Sequence, residues 1–470
     1  MRIRSDPAGL KMTPDCNHLP GRGARMIITA LSPYPWDTVK VSCVVRRYAD
    51  TMIHMLKGSI GAGILAMPEA TRRVGLILAV VGVAAIGLLA AYCIQLLIAV
   101  QYELCKRWKR GYMAYPKSIR LALQDGPPCM RWTATFFYYF VDTVLILWQL
   151  GLCVIYAVFV AENIKQVFAI VCDFYEMVVS LRTHICFLLA PLILISMVKD
   201  LKLMSPLSAI SNVITLFGLI LVFFYLVEDD VEIDVKKTEM RFEGIPLFVG
   251  TTLFALEAVG VVRVGAGRGH RARWFAPQFV GLCGLFNIGM LIIIVLYTLV
   301  GTFGYLKYGD QIKASLTLNL PFDQKKAQAA QLIFALAIFL TFPLQNFVAY
   351  NIMWRRLRKS LVGHETRKRC IDYTLRVLLF CLMRGLMCGA GTLAVAVPQL
   401  GPFISLFGAF CLTLLGIIFP ALIDVCFWYP DRYGRCHYKL LRDVLIMILG
   451  FAALVSGCYT SMMDIVRAAD

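Results

Sequence analysis

Eleven apolar runs, each long enough or nearly long enough to cross a lipid bilayer, constrain this chain more than anything else in it. They fall at 51–72, 75–101, 133–161, 183–198, 205–227, 245–264, 279–306, 328–350, 372–397, 399–425 and 443–465. A hydrocarbon core of about 30 Å takes about 20 helical residues. Lipid offers no hydrogen bonds to backbone, so each run is read as a helix or part of one. A β-barrel would show alternating segments of about ten residues, a pattern the sequence does not carry. The composition agrees: 59% of the 470 residues are hydrophobic and 16% charged. A soluble domain carries about 25% charged residues, so a soluble globule, a disordered chain and a disulfide scaffold are all excluded.

The net charge of +18 could suggest a nucleic-acid partner. The distribution of the cations argues otherwise. With the N-terminus cytoplasmic, 32 Lys and Arg fall in cytoplasmic segments, 12 in the opposite segments and three within runs. That asymmetry is the positive-inside pattern of a multi-pass protein with its C-terminus extracellular or lumenal. Residues 1–50, rich in Pro, Gly and Arg and without an apolar signal segment, read as a mobile cytoplasmic tail. The 16 cysteines are scattered, with no C-x-x-C pair and no zinc spacing. No H-E-x-x-H and no P-loop occurs, so no catalytic residue, metal or cofactor is expected and an enzyme is not.

Two runs are interrupted. The first contains HMLKGSIGAGILAMPEA, with Gly58, Ser59, Gly61 and Gly63 at mid-depth and His54 and Lys57 one turn apart on one face. The sixth contains GTTLFALEAVGVV, with Thr251, Thr252, Phe254 and Glu257. An isolated glycine pair is often only a close helix contact. Interrupted helices five spans apart are instead the sequence sign of an inverted-repeat transporter. Exposed N–H groups there suit a carboxylate, and freed carbonyls suit an ammonium or a cation.

The stretch DTMIHMLKGSIGAGILAMPEA resembles the first span of proton-coupled amino acid transporters, in the amino acid/auxin permease family. VIYAVFVAEN, LFNIGM, GYLKYGDQIKASLTLNLP, PLQNFVAYNIMW and VPQLGPFISLFGAF with IFPALID are similar to later parts of an invertebrate-like member. The likeness covers about 50–465. It implies an all-α membrane protein of about eleven helices with a LeuT-like five-plus-five inverted repeat. Repeat one would cover about 51–227, repeat two about 245–425, and an extra helix about 443–465, all within a transporter domain over 51–465. It also implies symport of protons with Gly, Ala and Pro class amino acids at the plasma or lysosomal membrane, with H⁺ the driving ion. There are two departures. Ser59 and Ala62 replace the usual Asn and Thr of the first-span motif. Residues 263–273, RVGAGRGHRAR, replace an apolar continuation of span 6 and read as a frameshift or a mis-spliced exon.

These features give the candidate residues. Gly58, Ser59, Gly61, Ala62 and Gly63 would present backbone to the substrate, and Thr251, Thr252 and Phe254 would do so from span 6. Tyr138 of span 3 and Thr341 and Gln345 of span 8, beside Pro343, would border it. His54 is the proton-coupling candidate, because histidine titrates near neutral pH. Asp142 and Glu257 are further candidates, since an ionisable group inside a span is functional by default. Lys57 and Glu257 would form an ion pair. Arg384 is expected to pair structurally, for example with Asp424. The rival reading is a nutrient sensor that binds an amino acid in the same site with little net transport.

Overall fold

A computed structural model describes residues 61–109, 113–171, 181–196, 201–227, 239–256, 284–321, 324–360, 400–430 and 437–467, with Met52, Ile371, Thr374, Leu378 and Tyr433. The chain divides into two units, Met1–His54 and Met55–Asp470. Of the first, only Met52 is described, and the helices with defined bounds all lie in the second.

Among the described residues there is no strand. The first interrupted run gives a four-residue helix α1 (Ala62–Leu65) and then α2 (Met67–Val74). Gly75 has φ of 83°, a conformation costly for any residue with a Cβ, and it turns the chain into α3 (Leu76–Arg107). An amphipathic α4 (Tyr115–Asp125) precedes the long α5 (Ala134–Val171), α6 (Leu181–Ser196) and α7 (Leu201–Val227). The second half opens with α8 (Ile245–Leu256), then α9 (Leu285–Tyr308) and α10 (Lys325–Ser360), which runs on through Pro343. The next span starts as α11 (Leu400–Phe407), passes through π-helical turns at Gly408–Leu412 and Leu414–Ile418, and ends as α12 (Phe419–Trp428). The last helix is α13 (Tyr438–Arg467). Ten of the eleven apolar runs overlap described helices, three of them only in part, and 372–397 lies almost wholly outside the described residues. Among the described residues, seven helical stretches are long and apolar enough to cross a membrane.

Lipid tails are as apolar as leucine, so the helices associate through close packing and polar contacts rather than hydrophobic burial alone. Helix α5 packs along α10, and α10 along α7. Helix α9 lies against α2 and α3, and α8 lies against α11, the π turns and α13. Among the described spans, α11–α12 is the most enclosed, with 89% of its apolar window buried, against 22% for α13. Side chains on the enclosed span therefore meet protein, and most of those on α13 face lipid.

Ionic clusters fix both ends of α13. At its last turns, Asp464 accepts from Arg73 at 2.8 Å. Arg73 also bonds Glu69 at 2.7 Å, and Arg72 reaches the same Glu69 oxygen at 3.3 Å. Beside them, exposed Arg241 makes a two-pronged contact with Asp310 at 3.1 and 3.2 Å. At the first turn, Arg442 bonds Asp443 at 2.7 Å and Asp424 of α12 at 2.6 Å. Asp424 is thus held by Arg442, with a second bond from the Trp428 indole at 2.9 Å. The partner expected for Asp424 from the sequence is Arg384, and the partner observed among the described residues is Arg442. The last helix begins one turn earlier than its apolar run and brings its own arginine to that carboxylate. Arg384 itself lies outside the described residues.

Candidate functional site: the broken helices

In the first span the continuous described residues begin at Gly61, the N-cap of α1. Gly61 is extended, with φ of −143° and ψ of −155°, and the helix starts at Ala62. A second irregularity, the turn at Ala66, separates α1 from α2. Backbone groups at such a break are not all used by a helix, and that is tolerated where they line a cavity or are buried in protein.

Three helices converge here. A Cβ added to Gly63 would stand 2.6 Å from the Ala255 Cα, so α1 and α8 meet backbone to backbone. A Cβ on Gly61 would stand 3.4 Å from the Tyr156 hydroxyl of α5. About two turns along α5 from Tyr156, buried Trp148 stands edge-on to buried Phe254 of α8, with ring centroids 5.3 Å apart. Behind this, α8 leans on the tenth span. A Cβ on Gly408 would overlap the Gly250 carbonyl, and one on Gly250 would overlap the Ser405 carbonyl. The Ser405 hydroxyl donates to the Leu247 carbonyl at 2.9 Å and accepts from Ser461 at 3.1 Å, which joins α8, α11 and α13.

The predicted residues fare differently. Ala62 and Gly63 are buried at the α1–α8 contact, next to Gly61. Thr251 is buried, and its hydroxyl is used within α8, donating to Leu247 at 3.0 Å. Thr252 is fully buried, and its Oγ1 has no hydrogen-bond partner. A buried hydroxyl left open in this way needs a water or a ligand to satisfy it. Thr341 faces away from the break: it donates to Ala337 at 2.8 Å and meets Ser211 of α7 at 2.7 Å. Gln345 is half-buried on α10. Neighbouring Asn346 is buried, with its Oδ1 unbonded. Tyr138 is not brought to the break. It lies near the start of α5, with the Arg120 guanidinium 5.9 Å from its ring, ten residues or about 15 Å from Trp148. Asp142, one turn further on, is buried. His54, Lys57, Gly58, Ser59 and Glu257, and with them the expected Lys57–Glu257 pair, lie outside the described residues, as does 263–273.

Sequence reasoning misses Trp148 and Tyr156. Both sit in one unbroken apolar run, where an aromatic residue gives no sign of which helix face it occupies. Counting helical turns from the apolar centre of span 3 is the signal that favours them over Tyr138. The arrangement brings the extended backbone at Gly61 close to the Tyr156 hydroxyl and sets an open threonine hydroxyl on α8, the helix that Gly63 meets. Such a site can take a small ligand with polar ends.

Comparison with known proteins gives the family and the fold. The family model described as "Transmembrane amino acid transporter protein" matches residues 47–463. The "Proton-coupled amino acid transporter-like protein pathetic" of Drosophila melanogaster is 34% identical over 420 residues, covering 89% of this chain and 85% of the fly protein. The "Probable amino acid transporter skat-1" of Caenorhabditis elegans is 22% identical over 431 residues, covering 89% of this chain and 90% of its own. Among solved structures, Mhp1, a nucleobase-cation-symport-1 family transporter, is similar in its closed form with bromovinylhydantoin. The TM-score is 0.51 at 12% identity over 89% of this chain and 91% of that one. The inward-facing form of Mhp1 gives 0.54, again at 12% identity, over 89% of each chain. That likeness establishes the LeuT-like fold. With the family match over nearly the whole chain, it makes this a multi-pass member of the transmembrane amino acid transporter family, a carrier and not an enzyme.

Proposed function

We propose that the chain carries small neutral amino acids, of the Gly, Ala and Pro class, together with protons, by alternating access. The carrying observation is the unsatisfied Thr252 hydroxyl, buried on α8, the helix whose Ala255 meets Gly63 and whose Phe254 meets Trp148. The near-contact of Gly63 with Ala255 leaves little width, which favours a small side chain on the ligand. In this reading the backbone around Gly58, Ser59, Gly61, Ala62 and Gly63 receives the ammonium and carboxylate, and Thr252 adds a hydrogen bond. His54 takes the proton, and Lys57 with Glu257 forms the neighbouring ion pair. The printed name of the fly relative supports proton coupling. One proton moving down 100 mV releases about 2.3 kcal/mol, enough for roughly fifty-fold accumulation. The N-terminus is cytoplasmic in this reading, on the plasma or lysosomal membrane.

The test is uptake of labelled Gly, Ala and Pro by cells expressing the full chain, at acidic and neutral external pH. His54→Ala and Thr252→Val are measured beside it, with surface expression checked. Uptake should rise at acidic pH, fall to background in His54→Ala, and show a several-fold higher KM in Thr252→Val. A surface-expressed chain whose uptake ignores pH would refute proton coupling. A chain that binds these amino acids but moves none would favour the sensor.

A further inference from the structure

Among the described residues, the cluster at the start of α13 is one positive charge short. It holds two carboxylates, Asp424 at 3% exposure and Asp443 at 0%, and one guanidinium, Arg442. One Arg442 nitrogen bonds an oxygen of each, at 2.6 and 2.7 Å. The two acceptor oxygens are therefore no further apart than the two bonds laid end to end, about 5.3 Å. Every other oxygen but one is accounted for. Asp424 Oδ1 accepts from Trp428, and Asp443 Oδ1 accepts a second bond from Arg442 Nε at 2.7 Å. Asp443 Oδ2 is buried with no hydrogen-bond partner.

Among the described residues, no other cation closes the balance. From α3, Tyr92 accepts from Arg442 at 2.6 Å, and buried Cys93 is its neighbour. From α12, Trp428 is neutral. Tyr433, in the connection, donates to the Val425 carbonyl at 3.0 Å. On α13 itself, the Lys439 ammonium sits over the Trp428 ring, 3.8 Å from its centroid, and pairs with neither carboxylate. Arg107 lies over Phe427 and is paired with Asp125 at 2.8 Å. Two like charges in one buried site do not both stay ionised.

We propose that Asp424 and Asp443 hold one proton between them, making a proton-binding site on α12 and α13 separate from the broken helices. The proton neutralises the cluster and gives Asp443 Oδ2 an O–H, so that the three helices α3, α12 and α13 are joined without net charge. Once it leaves, two carboxylates face each other across a single guanidinium, and the attachment of α13 loosens. The site lies on the face that the Lys and Arg count assigns to the cytoplasm.

Infrared difference spectroscopy on the full chain in lipid, titrated from acidic to alkaline pH, reads this directly. A protonated-carboxyl C=O band that titrates is expected, and it should be absent from both Asp424→Asn and Asp443→Asn and retained in His54→Ala. Thermal unfolding gives the second readout. Wild-type stability should fall as pH rises through the loss of that band, while Asp443→Asn, charge-balanced without a proton, should be flat over the same range. A titrating band that survives in both Asn variants, or no such band at all, would overturn the proposal. So would an Asp443→Asn variant that is destabilised equally at every pH, the behaviour of a fixed ion triad. Neither readout depends on transport, so each stands apart from the uptake assay.

Discussion

The two ends of α13 solve the same task with different chemistry. At the last turns, Glu69 and Asp464 face Arg72 and Arg73, two charges against two. Asp464 and Arg73 keep 25% and 19% of their side-chain surface exposed there, so water helps to screen the cluster. At the first turn, two carboxylates share one guanidinium, and both are almost fully enclosed. The lesson is that the worth of an ion pair depends on what its partners become when it is broken. A partner left in water is resolvated, whereas a partner left in protein is a stranded charge.

That difference can be broken at its strongest point first. Arg442→Ala strands both carboxylates and should cost about 3–5 kcal/mol at neutral pH, seen as a large drop in the unfolding temperature of the full chain in detergent. Part of that loss should return at acidic pH, where the carboxylates take up protons. Arg73→Ala should cost less, about 1–3 kcal/mol. Arg72 still reaches the buried Glu69, and Asp464 can turn to water. A larger loss for Arg73→Ala than for Arg442→Ala would reverse the comparison. Smallest is Arg241→Ala, which removes a pair whose members are 40% and 62% exposed. It should cost about 0–1 kcal/mol, and molar salt should erase the difference.

The skeleton is legible in the sequence because apolar length is a local property. Every described helix that crosses the protein shows as a run, and the break at Gly61 shows as glycines where lipid tolerates none exposed. Helix ends are less visible. Helix α5 continues ten residues past its run, to Val171, because protein rather than lipid surrounds its polar end: Gln166 there bonds the Leu318 carbonyl and accepts from Gln331. The site is legible only in part. Thr251 and Thr252 are adjacent and chemically alike, yet one hydroxyl is spent on its own helix and the other is open. Only the packing of α8 against its neighbours distinguishes them. Thr341 sits beside a helix-bending proline, a reasonable sign of a site, but its hydroxyl bridges to Ser211 of α7. The Arg442–Asp424 bond escapes a sequence reading because Arg442 falls just outside an apolar run and counts as a loop charge. Charges one turn beyond a run, on the helix that continues it, are the signal to look for.

The fixing of α13 at both ends also relates the protein to its membrane. Asp443 and Asp464 are 21 residues apart, a rise of about 32 Å along a straight helix. That is close to the thickness of a typical hydrocarbon core, about 30 Å. A free helix adapts to a thicker or thinner bilayer by tilting. This one is tied at each end to different neighbours, and its lipid-facing side is the most exposed of the described spans. Helix α13 therefore acts as a fixed-length strut, and where the surrounding lipid does not match it, the lipid must deform.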